Sequence, residues 1–526
     1  MNLQALLSRP VLSVLIVAVP MLAFTLITPL GFDNAAYQSM AIDLLKFGKI
    51  PYIGTWDLNF PGILVIHSSS ILLFGESALA FHAFDVLLQL GFVFVLYRFE
   101  RNWLCHRGAL IGVVLYCSWY LLGYHRMQGE RDVYIGMAMI CATQLLLGAR
   151  SAKQDSWRVL LSGLTLGFAV LMKPTSLVLP WILLFLVPIR ADSHPLSRRV
   201  SYLALSVVPL ALFLIIYSFI PGGLEAFYLA TIRFNLDIYT KLRGFWWVAI
   251  VGVYEGYPIY ALTAVALFRI LRHRTTWVDA LEHPMSRKEI LVFGALFMSS
   301  LALFVVQGKY LKYQLAPVTI LCVPIASFGA ELLLNMFPQR KQLALALLAC
   351  TTLFVISVRW PAVFSIATSL GDPHGAMMAS YVRPGSPTVY GDSAFFPALD
   401  YLSRPENRNA SLEIASFDPH LRAVLGRPCI GRYSFLAALG MRRNPEHVDS
   451  DSYTDYQLQW RQQYVNEIQT QRPEIIVIAR RLNCWYLSDV YTDLLHGLPG
   501  FDSLLSTFYR FDTSFGGEQI YKLKRY

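Results

Sequence analysis

Charged residues are scarce in this chain. Asp, Glu, Lys and Arg make up 15% of its 526 residues, whereas soluble proteins carry roughly a quarter. Hydrophobic residues make up 55%, and the mean hydropathy is +0.47. Several apolar runs reach the length of about 20 residues that crosses a bilayer as a helix. The shortage of charge excludes an ordinary soluble protein and predicts a protein that crosses a membrane several times.

Cysteines and processing signals are also few. The seven cysteines do not have the spacing of a metal-binding motif. Cys429 and Cys484 lie in the polar C-terminal part and can pair if that part lies outside the cytoplasm. The first apolar run is long and has no small-residue cleavage site before Asp33, so we expect it to remain as an anchor and not to be removed as a signal peptide.

Basic residues occur mainly in short links between the apolar runs. The net charge of +10 comes from 44 Lys and Arg against 34 Asp and Glu. This placement fits the positive-inside rule, and we do not expect a nucleic-acid partner. We count about eleven spans between residues 10 and 358, with the N-terminus and the basic links in the cytoplasm. The outer side then carries loop one at 31–75, the links 125–132, 221–247 and 308–313, a turn at Lys173, and the C-terminal part.

The apolar run at 160–187 is too long for one span, and Lys173 and Pro174 interrupt it. This pattern predicts a hairpin of two short spans with Lys173 at the turn. A single helix that kinks at Pro174 is the alternative.

From residue 359 to 526 the composition becomes polar and mixed, and the length is enough for one domain. Residues 387–391, 474–479 and 519–523 have the pattern of short strands, and residues 456–470 have that of a helix. The fold class that we predict is therefore a mainly α polytopic membrane domain at 1–358, followed by an extracytoplasmic α/β domain at 359–526.

Loop one carries the first candidate site residue. Residues 34–47 place apolar side chains at helical spacing and end at Gly48, which predicts a short amphipathic helix lying in the membrane interface. Asp33 stands at the entry of this helix, where a lipid-borne substrate would present its reacting group. Its carboxylate can act as a general base. Asp33 or Asn34 can also cap the helix, and the two roles are compatible.

A second acidic group, Glu130-Arg131-Asp132, lies in another outer link. Glu130 and Asp132 can hold a divalent metal ion together with Asp33, or share the base role with it. Two structural roles stand beside this one. Asp132 starts a span and suits the positive end of its helix, and Glu130 can pair with Arg126 or Arg131.

Loop one also contains a polar turn framed by aromatic residues and proline. Asp57 and Asn59 can hydrogen-bond a sugar, with Trp56 or Phe60 as the stacking face, or they can form an ordinary Asx turn. His67 follows on an apolar segment, where a structural histidine is the commoner case.

Lysine inside an apolar run is costly unless it reaches the interface or a polar cavity. Lys173 can therefore pair with the phosphate of a lipid donor, and snorkelling to the interface is its alternative. Further outer-face cations that would suit a lipid phosphate, or that are simply solvated loop charges, are Arg233, Lys241, Arg243, Lys309 and Lys312.

Several of these residues, together with short motifs, follow one another along the chain in a particular order. They are Asp33, Tyr37, Pro51-Tyr52, Asp57, Pro61-Gly62, Phe74-Gly75-Glu76-Ser77, the segment from Leu166 to Lys173-Pro174, and the turn Gly308-Lys309-Tyr310 to Tyr313. By this order the membrane part, about two thirds of the chain, resembles the polytopic glycosyltransferases of the GT-C superfamily. It is most similar to the bacterial branch related to protein O-mannosyltransferases and to the lipid A aminoarabinose transferase. Asn59 stands where many members have Lys, Phe60 replaces a Pro, and His82 stands where many have Arg.

The resemblance implies an inverting transfer of a sugar from a polyprenyl-phosphate donor to a lipid, glycan or protein acceptor at the outer face of the bacterial inner membrane. It makes Asp33 the candidate base and aligns Glu130 or Asp132 with a second acidic position. Tyr37, Asp57, Asn59, Lys173, Arg243, Lys309, Lys312 and Tyr313 would contact the substrates. A divalent cation would be held by Asp33, Glu130 and Asp132.

Two other functions remain open at this point. A transporter or lipid-glycan flippase would place ionisable residues at mid-membrane and often shows repeated halves, whereas this sequence has no repeat and its charges are predicted at span ends. An assembly subunit would use its C-terminal part to recruit partners.

Overall fold

The structure is a computed structural model, and it describes residues 9–123, 127–148, 152–187, 195–242, 250, 253–254, 256–272, 285–336, 395–433, 435–442, 452–479, 481–484 and 487–524. The last predicted span, the predicted strand at 387–391, Arg243 and the predicted domain boundary at 358 lie outside these residues.

Helices form most of the part before residue 337. They are α1 Pro10–Ala23, α2 Phe32–Phe47, α3 Gly62–Phe74, α4 Ala78–Glu100, α5 His106–Gly123, α6 Arg131–Leu147, α7 Ala152–Met172, α8 Val178–Leu183, α9 Pro195–Ser218, α10 Gly223–Tyr228, α11 Phe234–Asp237, α12 Tyr257–Arg272, α13 Arg287–Gln307 and α14 Ala316–Met336. Short 3₁₀ turns cover Phe24–Ile27, Pro174–Leu177, Leu184–Leu186, Tyr239–Lys241 and Lys312–Leu315, and Leu229–Arg233 forms a π-helical turn.

Five of the described helical stretches are long and apolar enough to cross a membrane: Pro10–Ile27, Ala78–Glu100, Leu196–Ser218, Arg287–Gln307 and Lys312–Asn335. Four shorter apolar helices accompany them, at Gly62–Phe74, Ser156–Met172, Pro174–Leu186 and Tyr257–Ile270. The chain is therefore a multi-pass membrane protein, as predicted. The count of about eleven spans stays a prediction.

The structure favours the predicted hairpin at Lys173 over a single kinked helix. Helices α7 and α9 pack side by side: a Cβ on Gly163 would lie 2.7 Å from the Tyr202 carbonyl oxygen, and one on Gly167 would lie 2.7 Å from Pro209 Cδ. The later residue of α7 contacts the later residue of α9, so the two helices run parallel. The chain between them must return to the side where α7 began, and Lys173 lies at the start of that return.

The part after residue 394 combines helices with a small sheet. Its helices are α15 Phe395–Ser403, α16 His420–Leu425, α17 Ala437–Gly440, α18 Asp455–Gln471 and α19 Phe501–Phe508, and Tyr491–Leu495 is a π-helical turn. Its strands are β1 Leu412–Ala415, β2 Ile475–Ala479, β3 Arg481–Cys484, β4 Leu487–Asp489, β5 Tyr509–Phe515 and β6 Glu518–Leu523.

The four-stranded sheet has the order β1-β2-β6-β5, in which β1 and β2 are parallel and the other neighbours are antiparallel. Strands β3 and β4 form a separate hairpin. The predicted strands at 474–479 and 519–523 and the predicted helix at 456–470 are confirmed within a residue or two. Cys429 is a free buried thiol, so the structure does not form the predicted pair with Cys484.

The C-terminal part packs directly on loop one. The Trp56 amide donates to the Arg432 carbonyl at 2.7 Å, and Lys49 Nζ donates to the Cys429 carbonyl at 2.6 Å. A buried ion pair joins the Arg422 guanidinium to Asp43 at 2.6 Å. Loop one and the C-terminal part therefore lie on the same side of the helical bundle, as the predicted orientation requires.

Candidate functional site

Asp33 lies in the first turn of α2 and is half-buried. The N-cap of this helix is Gly31, with no side-chain cap hydrogen bond, so the prediction that Asp33 or Asn34 caps the helix is wrong. The helix itself starts at Phe32 and ends at Gly48 in the left-handed conformation, close to the predicted bounds. Asn34 to Asp43 are all buried, so α2 is packed on every side and is not an amphipathic surface helix.

The carboxylate of Asp33 is held by groups from two other elements. The Tyr313 hydroxyl, from the 3₁₀ turn before α14, donates a hydrogen bond to it, and the Arg131 guanidinium lies within electrostatic range. Burial raises the pKa of Asp33, and Arg131 and Tyr313 offset part of that rise. A carboxylate with a raised pKa is a stronger base than an exposed one.

The acidic link comes together with Asp33. Glu130 is the buried N-cap residue of α6, and burial together with the charge of Asp33 raises its pKa well above the ordinary value. Asp132 Oδ1 accepts a hydrogen bond from Lys173 Nζ at 2.8 Å. Three buried polar atoms of this link have no hydrogen-bond partner among the described residues: Glu130 Oε2, Arg131 Nε and Asp132 Oδ2. Unpartnered buried polar atoms in a native structure need an explanation, and a missing ligand is a common one.

Lys173 is paired inside the protein and does not snorkel to solvent. Besides Asp132, it donates to Gln307 Oε1 at 2.9 Å, and its side chain is 14% exposed. Its cation therefore lies at the end of α7, against the start of α6 and the end of α13. A phosphate role for Lys173 would require sharing with Asp132.

The polar turn of loop one is an Asx turn. Asp57 Oδ1 accepts from the Asn59 amide at 3.1 Å and from Asn59 Nδ2 at 2.8 Å. Asn59 Nδ2 also donates to the Tyr37 hydroxyl at 3.0 Å, and the Tyr52 hydroxyl donates to the Asn59 carbonyl at 2.7 Å. Burial raises the pKa of Asp57 to about 7. Tyr37 lies within electrostatic range of Asp33, Asp57 and Glu130, so the turn borders the same cluster.

The predicted sugar-stacking role of Trp56 or Phe60 is wrong. Trp56 is 1% exposed and packs edge-on against Phe234 and Trp460, while Phe60 is 6% exposed and packs against Phe227. Neither ring offers an open face to a ligand.

His67 is a structural residue, as expected. Its ring stacks on Phe81 with 4.2 Å between centroids. Its two nitrogens contact Gln38 Oε1 at 2.8 Å and Asn34 Oδ1 at 3.2 Å.

The other predicted cations that the structure describes have partners or positions different from those of Lys173. Lys309 donates to the backbone carbonyls of Tyr239 and Leu242, and burial lowers its pKa to about 8. Arg233 forms an exposed pair with Asp237. Lys312 lies in the same 3₁₀ turn as Tyr313.

Two residues of this cluster were missed as site candidates in the sequence. Arg131 was considered only as a partner of Glu130, although its position between two acids was the available signal. Gln307 ends α13 and contacts Lys173, which no sequence pattern indicates.

A resident metal ion does not fit this arrangement well. Among the described residues, no group of three or more His, Cys, Asp or Glu side chains is arranged to hold a metal ion. Glu130 and Asp132 each keep one unpartnered oxygen, but Asp33 is engaged with Tyr313 and Asp132 with Lys173. We therefore assign no chemical step to a metal.

Known proteins share this fold. Residues 61–217 match the family model described as dolichyl-phosphate-mannose-protein mannosyltransferase. The crystal structure of ArnT from Cupriavidus metallidurans bound to undecaprenyl phosphate aligns with a TM-score of 0.62 at 15% identity, over 97% of this chain and 97% of that chain. The same protein in the apo state aligns with a TM-score of 0.61 at 14% identity and the same coverage.

A more distant match is the archaeal oligosaccharyltransferase AglB from Archaeoglobus fulgidus, in complex with an inhibitory peptide and a dolichol-phosphate. It aligns with a TM-score of 0.50 at 12% identity, over 98% of this chain and 74% of that chain. No curated protein sequence matches the chain. The predicted resemblance to the GT-C superfamily is confirmed by these folds and by the family model.

Proposed function

We propose that this protein is a glycosyltransferase that moves a sugar from a polyprenyl-phosphate donor to a lipid, glycan or protein acceptor. The observation that carries the proposal is the meeting of Asp33, Tyr313 and Arg131 at the side of the bundle that faces the C-terminal part. The fold shared with ArnT, whose structure holds undecaprenyl phosphate, supports a donor of this class.

Asp33 is the proposed base. As an acceptor oxygen or nitrogen attacks the anomeric carbon, the bond from that carbon to the phosphate oxygen breaks, and Asp33 takes the acceptor's proton. One displacement at the anomeric carbon inverts its configuration. The raised pKa of Asp33 favours proton uptake, and the Tyr313 hydroxyl keeps the carboxylate oriented.

The departing lipid phosphate needs positive charge. Arg131 is our first candidate, because its Nε is buried without a partner among the described residues and lies beside the base. Lys173 is the second, and it would turn from Asp132 Oδ1 to a phosphate oxygen. Lys309, Lys312 and Arg243 remain weaker candidates for contacts with the lipid phosphate.

The remaining site residues would bind the sugar. Asn59 and Tyr37 already form one hydrogen-bonded unit with Asp57, and a sugar hydroxyl can join such a unit without reorganising it. Glu130 and Asp132 would act through the electrostatic effect of their carboxylates on the site. The predicted divalent cation at Asp33, Glu130 and Asp132 has no part in this mechanism, and the chelator arm of the assay tests it.

The setting is proposed as well. The protein would lie in the bacterial inner membrane with the N-terminus in the cytoplasm. Residues 1–358 would form the transferase domain with loop one at 31–75, and residues 359–526 would form a periplasmic α/β domain. The contacts between Trp56 and Arg432 and between Asp43 and Arg422 support a common side for loop one and this domain.

The test is sugar release and transfer from a panel of polyprenyl-phosphate sugars by the purified full-length chain, with and without a chelator. Asp33→Asn should abolish turnover, because Asn cannot take the proton. Asp237→Asn is the matched control, since Asp237 is a carboxylate of an outer link whose partners lie away from Asp33: the exposed Arg233 at 2.7 Å and the Tyr456 hydroxyl at 3.5 Å. Equal turnover by wild type and Asp33→Asn would reject Asp33 as the base. The absence of turnover with every donor, in membranes that contain native acceptors, would reject the donor class.

A further inference from the structure

The second transmembrane helix contains a buried acid that the site does not include. Asp85 lies well inside α4, a helix long enough to cross a membrane, and its side chain is fully buried. The sequence-based expectation that charges sit at span ends is therefore wrong at this position. An ionisable residue inside a span is costly unless its oxygens are satisfied, and such residues usually have a function.

Asp85 is satisfied by neutral donors. Tyr134 donates to Oδ1 at 2.7 Å, Gln89 Nε2 donates to Oδ1 at 3.0 Å, and the Tyr120 hydroxyl donates to Oδ2. These three donors come from α4, α5 and α6, so Asp85 ties three helices together.

Two of these donors connect Asp85 to the acidic link Glu130-Arg131-Asp132. The Tyr120 hydroxyl accepts a hydrogen bond from the Gly129 amide at 2.8 Å, and Gly129 immediately precedes Glu130. Tyr134 lies one helical turn after Glu130, in α6. Asp85 therefore reaches the backbone just before the link through Tyr120, and the first turn just after it through Tyr134.

The backbone at Gly129 is tightly packed and has little room to move. Its φ is +72°, and a Cβ would lie 2.5 Å from the Phe81 ring. Its neighbour Gln128 is held as well, because Asn34 Nδ2 donates to the Gln128 carbonyl at 2.7 Å. The Gly129 amide would have to find another buried acceptor if Tyr120 lost its hydroxyl, and an unpaired buried amide is unfavourable.

We propose that Asp85, through Tyr120 and Tyr134, is a positioning residue that fixes Glu130, Arg131 and Asp132 at the site from within the membrane. The inference rests on the proposed transferase only for its kinetic consequence. Its structural part, which we call the clamp, is that Tyr120 and Tyr134 hold the backbone of residues 127–134 in place.

The experiment compares three tyrosine-to-phenylalanine variants of the full chain in lipid nanodiscs. Tyr120→Phe and Tyr134→Phe each remove one link to Asp85. Tyr116→Phe is the matched control: its hydroxyl belongs to the same network but donates to Gln89 Oε1 at 2.5 Å, and among the described residues it has no hydrogen bond to the acidic link. Hydrogen–deuterium exchange over residues 127–134 reads the clamp without needing activity, and kcat and donor KM read its effect on the reaction.

We expect Tyr120→Phe to increase deuterium uptake in 127–134 and to lower kcat by about tenfold or more, with donor KM changed by less than about threefold, because a misplaced catalytic group affects the transition state more than the ground state. Tyr116→Phe should match wild type in both readouts. Asp85→Asn should resemble Tyr120→Phe where it folds.

The outcomes separate the two proposals. Unchanged exchange in Tyr120→Phe, or equal increases in Tyr120→Phe and Tyr116→Phe, would overturn the clamp. Increased exchange with wild-type kcat would overturn its role in the reaction. If wild type transfers no sugar at all, the proposed function fails, and the exchange comparison still decides the clamp.

Discussion

The ion pair of Lys173 with Asp132 yields a quantitative prediction. The side chains of Asp132 and Lys173 are 5% and 14% exposed, and Asp132 Oδ2 has no hydrogen-bond partner among the described residues. Lys173→Met would therefore break the only hydrogen-bonded ion pair of this buried carboxylate among the described residues and leave Arg131 as the remaining cation within electrostatic range. Breaking such a pair from one side costs about 3–5 kcal/mol, whereas replacing both partners by apolar residues is often neutral.

We expect Lys173→Met to lose about 3 kcal/mol of unfolding free energy. Asp132→Leu should also destabilise, because it leaves the ammonium buried. The double variant Lys173→Met/Asp132→Leu should recover most of the loss, and its coupling energy should be about 3 kcal/mol. The assay is denaturant unfolding in mixed micelles, followed for all four proteins.

The activity of the double variant then separates structure from chemistry. If Lys173 also binds the lipid phosphate, the double variant should be stable but slow. A stability of Lys173→Met equal to that of wild type would refute the buried pair and would restore the alternative in which the lysine snorkels to the interface.

Three further predictions concern single residues. Gly129→Ala should be inactive and destabilised, because the new Cβ meets the Phe81 ring at 2.5 Å and φ is +72°; enzyme assay and thermal unfolding check it. Burial raises the pKa of Asp57 from 3.8 to about 7, so the stability that this group contributes is complete below about pH 4 and lost as pH rises through 7. The unfolding free energy of Asp57→Asn, measured relative to wild type, should therefore rise between pH 4 and pH 8 by at most about 4 kcal/mol; pH-dependent unfolding of both proteins measures it. Cys429 should resist maleimide at pH 8 in the folded protein, because burial raises the pKa of its thiol to about 11; mass spectrometry of labelled peptides checks it.

The sequence predicted those features that depend on local pattern. The bounds of α18 and β2 follow from periodicity, and the gathering of loop one, the acidic link and the Lys173 turn follows from the placement of basic links. Asp33 was identifiable because an acid directly after an apolar run is conspicuous.

The failures came from contacts that are distant in sequence. Trp56 was assigned to a sugar because nothing local shows that Trp460 covers it. The predicted surface helix α2 is buried because both α3 and the C-terminal part pack on it. Asp85 was visible as an acid within an apolar run, but its importance depends on Tyr120 and Tyr134, which only the fold brings together.

The docking of the C-terminal part on loop one has a consequence for the biosynthesis of the protein. The partners Asp43 and Arg422 are separated by 379 positions, and Leu30 and His420 by 390. A ribosome therefore completes loop one long before the residues that hold it in place exist. Until residues near 432 have been synthesised, Trp56 lacks its backbone acceptor, and the turn that follows it is unsupported. Loop one should therefore reach its final packing only after most of the chain has been synthesised, so that incompletely synthesised chains lack the supported turn.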